Sequence, residues 1–126
     1  MRLAINDSIK LDIQSRLFWN ETEIEILSGE EYKFVAEGQW RDLTIKTDPD
    51  GYTKLYMRLF NRLKRSESNN WFALMGSLDK SGDFLIGRNN KIEFQKSGTL
   101  YCYANDVRGF YWNNSGHASL EVIRLS

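Results

Sequence analysis

The 126-residue chain predicts an all-β fold, a β-sandwich of the jelly-roll kind, on three observations. Short runs alternate apolar and polar residues with the period of a half-buried strand. Clusters of Gly, Asn, Asp and Ser punctuate those runs at short, near-regular intervals. Only one segment carries a helical period, which leaves helices little of the chain to occupy.

The first strand-like run is Ile9–Ile13. Thr22–Ile26 keeps isoleucine on one face and glutamate on the other, and Tyr32–Ala36 repeats the pattern with an aromatic face. Between these two, Leu27–Glu31 holds a glycine and short polar residues, which predicts a β-hairpin. Further strands are expected at Trp71–Gly76, Phe84–Gly87, Lys91–Phe94, Thr99–Ala104 and Ala118–Leu125. Turn signals separate them at Asp48–Gly51, Asp79–Gly82, Arg88–Asn90 and Lys96–Gly98. Trp19, Trp40 and Trp71 lie in or beside strand-like runs and read as core residues.

The exception lies near residues 54–65. On a helical wheel Lys54, Arg58, Arg62 and Arg65 share one side, while Leu55, Tyr56, Leu59, Phe60 and Leu63 occupy the other, so a short amphipathic helix is expected. Such a helix, or an irregular excursion in its place, packs on a sandwich with its basic side in water. With no acidic residue in the segment, contact with phosphate groups or a membrane surface is the other reading.

Composition narrows the function classes. The length fits one domain, residues 1–126, with no linker, repeat or low-complexity tract. Seventeen basic and seventeen acidic residues cancel, so no global field recruits nucleic acid or an anionic membrane. The N-terminus lacks the apolar core of a secretory signal, and no apolar run reaches the ~18 residues that membrane insertion requires. A cytoplasmic location is the default expectation, with export by another route left open. Cys102 has no partner for an intrachain disulfide, sits in an apolar run, and reads as a buried, inert thiol.

The catalytic inventory is thin. His117 is the only histidine, so a Ser-His-Asp or Cys-His arrangement has one candidate base and no orienting partner in view. No nucleophile elbow, P-loop or zinc-protease motif occurs. The carboxylate pairs Asp48/Asp50 and Glu30/Glu31 fall in turns, where turn chemistry accounts for them. A binding module, not an enzyme, is the expectation.

The chemistry concentrates in Tyr103–Gly116, between two strand-like runs. Asp106, Asn113 and Asn114 supply side-chain oxygens of the kind a hard cation selects, and backbone carbonyls such as that of Phe110 extend a shell of about 6–8 oxygens. Gly109 and Gly116 are expected at positive φ, folding the loop's carbonyls inward. One carboxylate against a divalent ion leaves net positive charge, so the ion accepts neutral hydroxyl oxygens. The alternative is that the same side chains hydrogen-bond the loop's own backbone with no metal.

Asn105–Gly116 reads Asn-Asp-Val-Arg-Gly-Phe-Tyr-Trp-Asn-Asn-Ser-Gly and resembles, over most of its positions and without a gap, a signature of the bacterial galactophilic lectins (the Pseudomonas LecA-like family). Gly29–Gly38 followed by Trp40, and Ala73–Gly76, carry a weaker likeness over nearly the whole chain. The resemblance implies a galactose-binding-like jelly roll holding one calcium ion that binds a sugar through two ring hydroxyls. Asp106, Asn113 and Asn114 would be side-chain ligands, Phe110 a carbonyl ligand, and a carbonyl near Asp42 the contribution of an earlier loop. Asp106, Val107, Arg108, Trp112 and Asn113 would face the sugar, a galactose-like or other glycan.

The chain departs from that pattern at Arg108, where the family has proline, and at Trp112, where it has glycine. The family's His-Pro segment has no counterpart in Ser66–Trp71, where Asn69 or Asn70 are the candidate donors to sugar hydroxyls. Trp112 is placed to stack on a sugar face or to cover the pocket. A homo-oligomer is compatible with a weak, shallow site. The competing function is a structural or protein-interaction sandwich in which calcium is absent or only stiffens the loop.

Overall fold

A computed structural model describes residues 1–54 and 60–126. Its strands are β1 Ser8–Gln14, β2 Asn20–Ile26, β3 Glu31–Glu37, β4 Trp40–Asp42, β5 Ile45–Thr47, β6 Leu74–Leu78, β7 Ser81–Leu85, β8 Asn89–Glu93, β9 Gly98–Ala104 and β10 Asn114–Arg124. One antiparallel sheet runs β5-β4-β10-β3-β8 with β1 also paired to β10, and the other runs β2-β9-β6-β7. The all-β sandwich that the alternation predicts is therefore observed.

The core lies where the inward faces of the two sheets meet. From one side come Tyr32, Phe34, Ala36, Trp40, Leu120 and Val122, and from the other Ile24, Ile26, Leu74, Leu100 and Cys102, all buried. Aromatic rings meet edge to face, as in Trp40 against Phe72 at 5.9 Å and Tyr32 against Phe94 at 5.9 Å. Burial drives the Cys102 thiol pKa upward, consistent with an inert sulfur. Trp40 and Trp71 are buried, whereas Trp19 is only half-buried and packs on the outer face of the second sheet against Ala73, Met75 and Tyr103.

The expected β2–β3 hairpin is not formed. β2 pairs with β9 and β3 with β10 and β8, so Leu27–Glu30 carries the chain from one sheet to the other. The buried Glu30 carboxylate organises this crossing by accepting the Leu27 N–H at 2.7 Å and pairing with Arg2 and, at 2.7 Å, with Arg124. The isoleucine face of β2 and the aromatic face of β3 look into one core from opposite sides, and alternation alone reads the same for either connection.

Two short strands, β4 and β5, were not anticipated. β3 and β4 are one strand interrupted at Gly38 (φ +98) and Gln39, and β10 spans the break, pairing Ser119 with Glu37 and Gly116 with Trp40. β6 begins at Leu74 instead of Trp71: Phe72 has φ 62, a left-handed backbone that breaks the extended run there. The turn before β7 tightens to Asp79 and Lys80, both at positive φ as a type I′ hairpin turn requires, so β7 starts earlier than Phe84. Of the helix expected near 54–65, residues 60–63 form a 3-10 turn and Lys64 makes a β-bridge with Val107, while 55–59 lie outside the described residues.

Candidate functional site

At one end of the sandwich the loop after β9 meets β4 and the start of β10. Asn105, fully buried, fixes that loop: its Oδ1 accepts the Ser66 N–H at 2.9 Å, and its Nδ2 faces the carbonyls of Ser66, Asn69 and Asn70 at 2.9, 3.2 and 3.0 Å. The Arg65 N–H donates to the Asp106 carbonyl at 3.1 Å. The Arg65 guanidinium stacks over Phe18 at 3.8 Å and Tyr103 at 3.5 Å and donates to the Tyr111 hydroxyl at 3.0 Å. Tyr111 opens a 3-10 turn, Tyr111–Asn113, and its hydroxyl donates back to the Ala104 carbonyl at 2.5 Å. Both ends of the 105–113 loop are thus tied to β9 and to the segment 64–70.

Strand register brings in the distant partner. Asn114 stands opposite Asp42 in the β4–β10 ladder, and the Leu43 N–H donates to the Asn113 carbonyl at 3.2 Å. Leu43 holds φ 57, a left-handed backbone that a leucine adopts only under local constraint. The Asp42 carboxylate accepts the Tyr52 hydroxyl at 2.7 Å. Burial raises its pKa and the Tyr52 bond acts against that shift.

Asp106 is 3% exposed. Its Oδ1 accepts the Val107 N–H at 2.7 Å, while Oδ2 has no hydrogen-bond partner. The Oδ1 atoms of Asn113 and Asn114 are likewise buried and unpartnered, although the Asn114 Nδ2 donates to the Ser15 carbonyl at 3.0 Å. Among the described residues only one other buried side-chain polar atom, the Tyr103 hydroxyl, is orphaned, so the deficit concentrates in this loop. Each such oxygen costs about 1–3 kcal/mol if nothing satisfies it. Burial pushes the Asp106 carboxyl up to about 6, with the nearby Asp42 charge adding to the rise and the Val107 N–H and the Asn114 side chain opposing it.

Asp42, Asp106 and Asn113 supply the polar lining of a cavity of about 330 Å³, and Phe60, Leu63, Trp71, Val107 and Phe110 its apolar lining. The Trp71 indole is held by its Nε1–H on the Asn61 Oδ1 at 3.1 Å. Five of the residues expected at a site therefore share one cavity. Three are not on its lining: Asn114, which stands opposite Asp42 in the β4–β10 ladder, Arg108, whose guanidinium packs over Phe18 at 5.4 Å, and Trp112, which is 72% exposed. Gly116 has the expected positive φ, +83, and a side chain there would crowd the Trp40 backbone; Gly109 is not among the positive-φ glycines, so the loop does not use it that way.

The walls Phe60, Leu63 and Trp71 escaped sequence reasoning as site residues, because each belongs to a segment distant from the oxygen loop. Asn69 and Asn70, expected as donors to a sugar, spend their amides on the Ser66 hydroxyl at 2.7 Å and the Asp50 carbonyl at 3.2 Å. His117 is exposed on β10, with Nε2 3.8 Å from Asp12. Among the described residues no three carboxylate, imidazole or thiol side chains converge. The donor set at the cavity is two carboxylates with amide oxygens, which suits a hard cation and not a soft one.

No family model and no curated protein matches this chain. Among solved structures it is similar to the EclA N-terminal domain, described as a PllA-like lectin, with a TM-score of 0.73 and 19% sequence identity over 91% of this chain and 94% of that one. At that identity the likeness shows the fold: a lectin-like β-sandwich.

Proposed function

We propose that this chain is a calcium-dependent carbohydrate-binding module and not an enzyme, with its site in the cavity between β4 and the 105–114 loop. The observation that carries the reading is the set of three buried oxygens without partners, Asp106 Oδ2, Asn113 Oδ1 and Asn114 Oδ1, all within the nine residues 106–114. The lectin fold of the similar structure supports the carbohydrate half of the reading. Asp106, Asn113 and Asn114 would hold the ion through side chains, with the Phe110 carbonyl and residue Asp42 completing the shell. Calcium, when bound, supplies a hard electrophilic centre that accepts two neutral sugar hydroxyls.

The chain's own residues do the rest. Trp71 and Val107 give the sugar an apolar wall, the arrangement that small-molecule sites combine with a few placed polar groups. Phe60, Leu63 and Phe110, each about half exposed, lie within reach of whatever the sugar carries outward. A galactose-like sugar is the first candidate. Trp112 lies beyond the cavity lining, so it is free to stack on a second sugar unit.

The test is binding to a glycan array with calcium present and again after chelation. Signal that disappears with chelator and returns with calcium supports the reading. Absence of glycan binding under both conditions overturns it, and leaves a structural or protein-interaction sandwich.

A further inference from the structure

Beyond Trp71 lies a second cavity, of about 420 Å³, and its chemistry differs from the first. Its lining is polar and includes Lys64, Asn61, Asn69 and Asn70 together with the shared Trp71. Lys64 is 7% exposed, yet it makes no ion pair among the described residues, and residues 54–65 contain no acidic side chain to offer one. The ammonium donates to the Asn69 carbonyl and sits 5.5 Å from the Trp71 ring centroid. An ammonium has three donors, and a buried cation is costly unless compensated. Glu67 is the carboxylate on the lining; it is exposed and not within ion-pair distance of the lysine. Burial lowers the Lys64 pKa, the direction expected of a cation that lacks a counter-ion.

The placement of Lys64 relates it to the candidate sugar site. Its backbone bridges to Val107, the neighbour of Asp106, and Trp71 borders both cavities. We propose that the Lys64 cavity is an anion subsite, and that the glycan this chain selects carries an acidic group, carboxylate or sulfate, beside the sugar held at Asp106. The inference rests on the carbohydrate reading above for its glycan half only. The anion subsite itself stands on the buried, unpaired lysine and the cavity it lines.

Two measurements test it separately. On an array presenting lactose beside its sulfated and sialylated forms, with calcium, the wild type is expected to favour at least one acidic form by about tenfold, the order of one charge-assisted hydrogen bond. Lys64→Met, which keeps the stem and removes the charge, is expected to erase that preference and leave lactose binding unchanged. The two acidic forms separate sulfate from carboxylate as the group selected. Equal binding of neutral and acidic forms overturns the acidic-glycan inference while leaving the carbohydrate reading intact.

The second measurement needs no sugar. Inorganic sulfate is titrated into the calcium-free protein against chloride at matched ionic strength, following tryptophan fluorescence, with Trp71 in contact with the lysine. A saturable change in the wild type that is absent in Lys64→Met supports the subsite, with thermal unfolding checking that the variant is folded. The same response in both proteins, or none in either, overturns it.

Discussion

Asp106 and Glu30 are both buried carboxylates, and the structure treats them in opposite ways. Burial of Asp106, only partly offset by the Val107 N–H, holds its folded-state pKa at about 6, above the ~3.9 of an unfolded aspartate. A raised value means that the folded state gains from the proton, and that this gain is lost as pH rises through about 6. In calcium-free protein, Asp106→Asn is therefore predicted to raise stability at pH 7 by about 2 kcal/mol and to change it little near pH 4, as read by urea unfolding at the two pH values. Equal effects at both would contradict the buried-charge account. Glu30 is held down to about 2, chiefly by the Arg2 guanidinium, with the Leu27 N–H, the Tyr32 hydroxyl and Arg124 adding to the effect against the cost of burial. A depressed value contributes stability above the ~4.3 of an unfolded glutamate and loses it as pH falls toward 2. Glu30→Gln should cost about 2 kcal/mol at neutral pH, with the gap to wild type closing below pH 4 in an acid-unfolding series.

The supports of the site are elements, and two of them give predictions of their own. Asn105 staples the 64–70 segment to the end of β9 through its buried amide, so Asn105→Ala leaves several backbone groups without partners. A loss of about 2–4 kcal/mol is expected, and calcium affinity should fall with it because the Asp106 backbone is tied to Arg65. Thermal unfolding and a calcium titration of the variant check both parts. The Asp48–Gly51 turn supports the Trp71 wall: a Cβ on Gly51 would lie 2.3 Å from the Trp71 carbonyl oxygen, at φ +78. Gly51→Ala is predicted to destabilise by more than about 2 kcal/mol, measured by urea unfolding. At this scale the alternating strands were legible because one buried face dictates the pattern. Whether Leu27–Glu30 turns back within a sheet or crosses between sheets was not, since it depends on the ion-paired Glu30 meeting Arg2 and Arg124 from the two ends of the chain. β4 and β5, three residues each, carry too few positions for a period to register.

Over the whole molecule, the half of the candidate site that lies in one loop was legible in the sequence. Asp106, Asn113 and Asn114 are close in sequence, and their residue types already point to a cation. Asp42 reaches them only through the β4–β10 register, across more than sixty residues of chain, and a contribution near it, as a backbone carbonyl, was expected from family resemblance and not from pattern. Phe60, Leu63 and Trp71 converge from a segment whose period suggested a helix, so its apolar residues looked like packing surface instead of cavity wall. The sandwich thus brings carboxylates, amide oxygens and an apolar wall together, with three oxygens unsatisfied by protein. The most direct test of that account is thermal unfolding of chelator-stripped protein, with and without millimolar calcium, for the wild type and Asp106→Asn. A ligand that binds only the folded state raises its stability. A clear upward shift in Tm is expected for the wild type and none for the variant; no shift in either protein, or the same shift in both, would overturn the calcium site at Asp106.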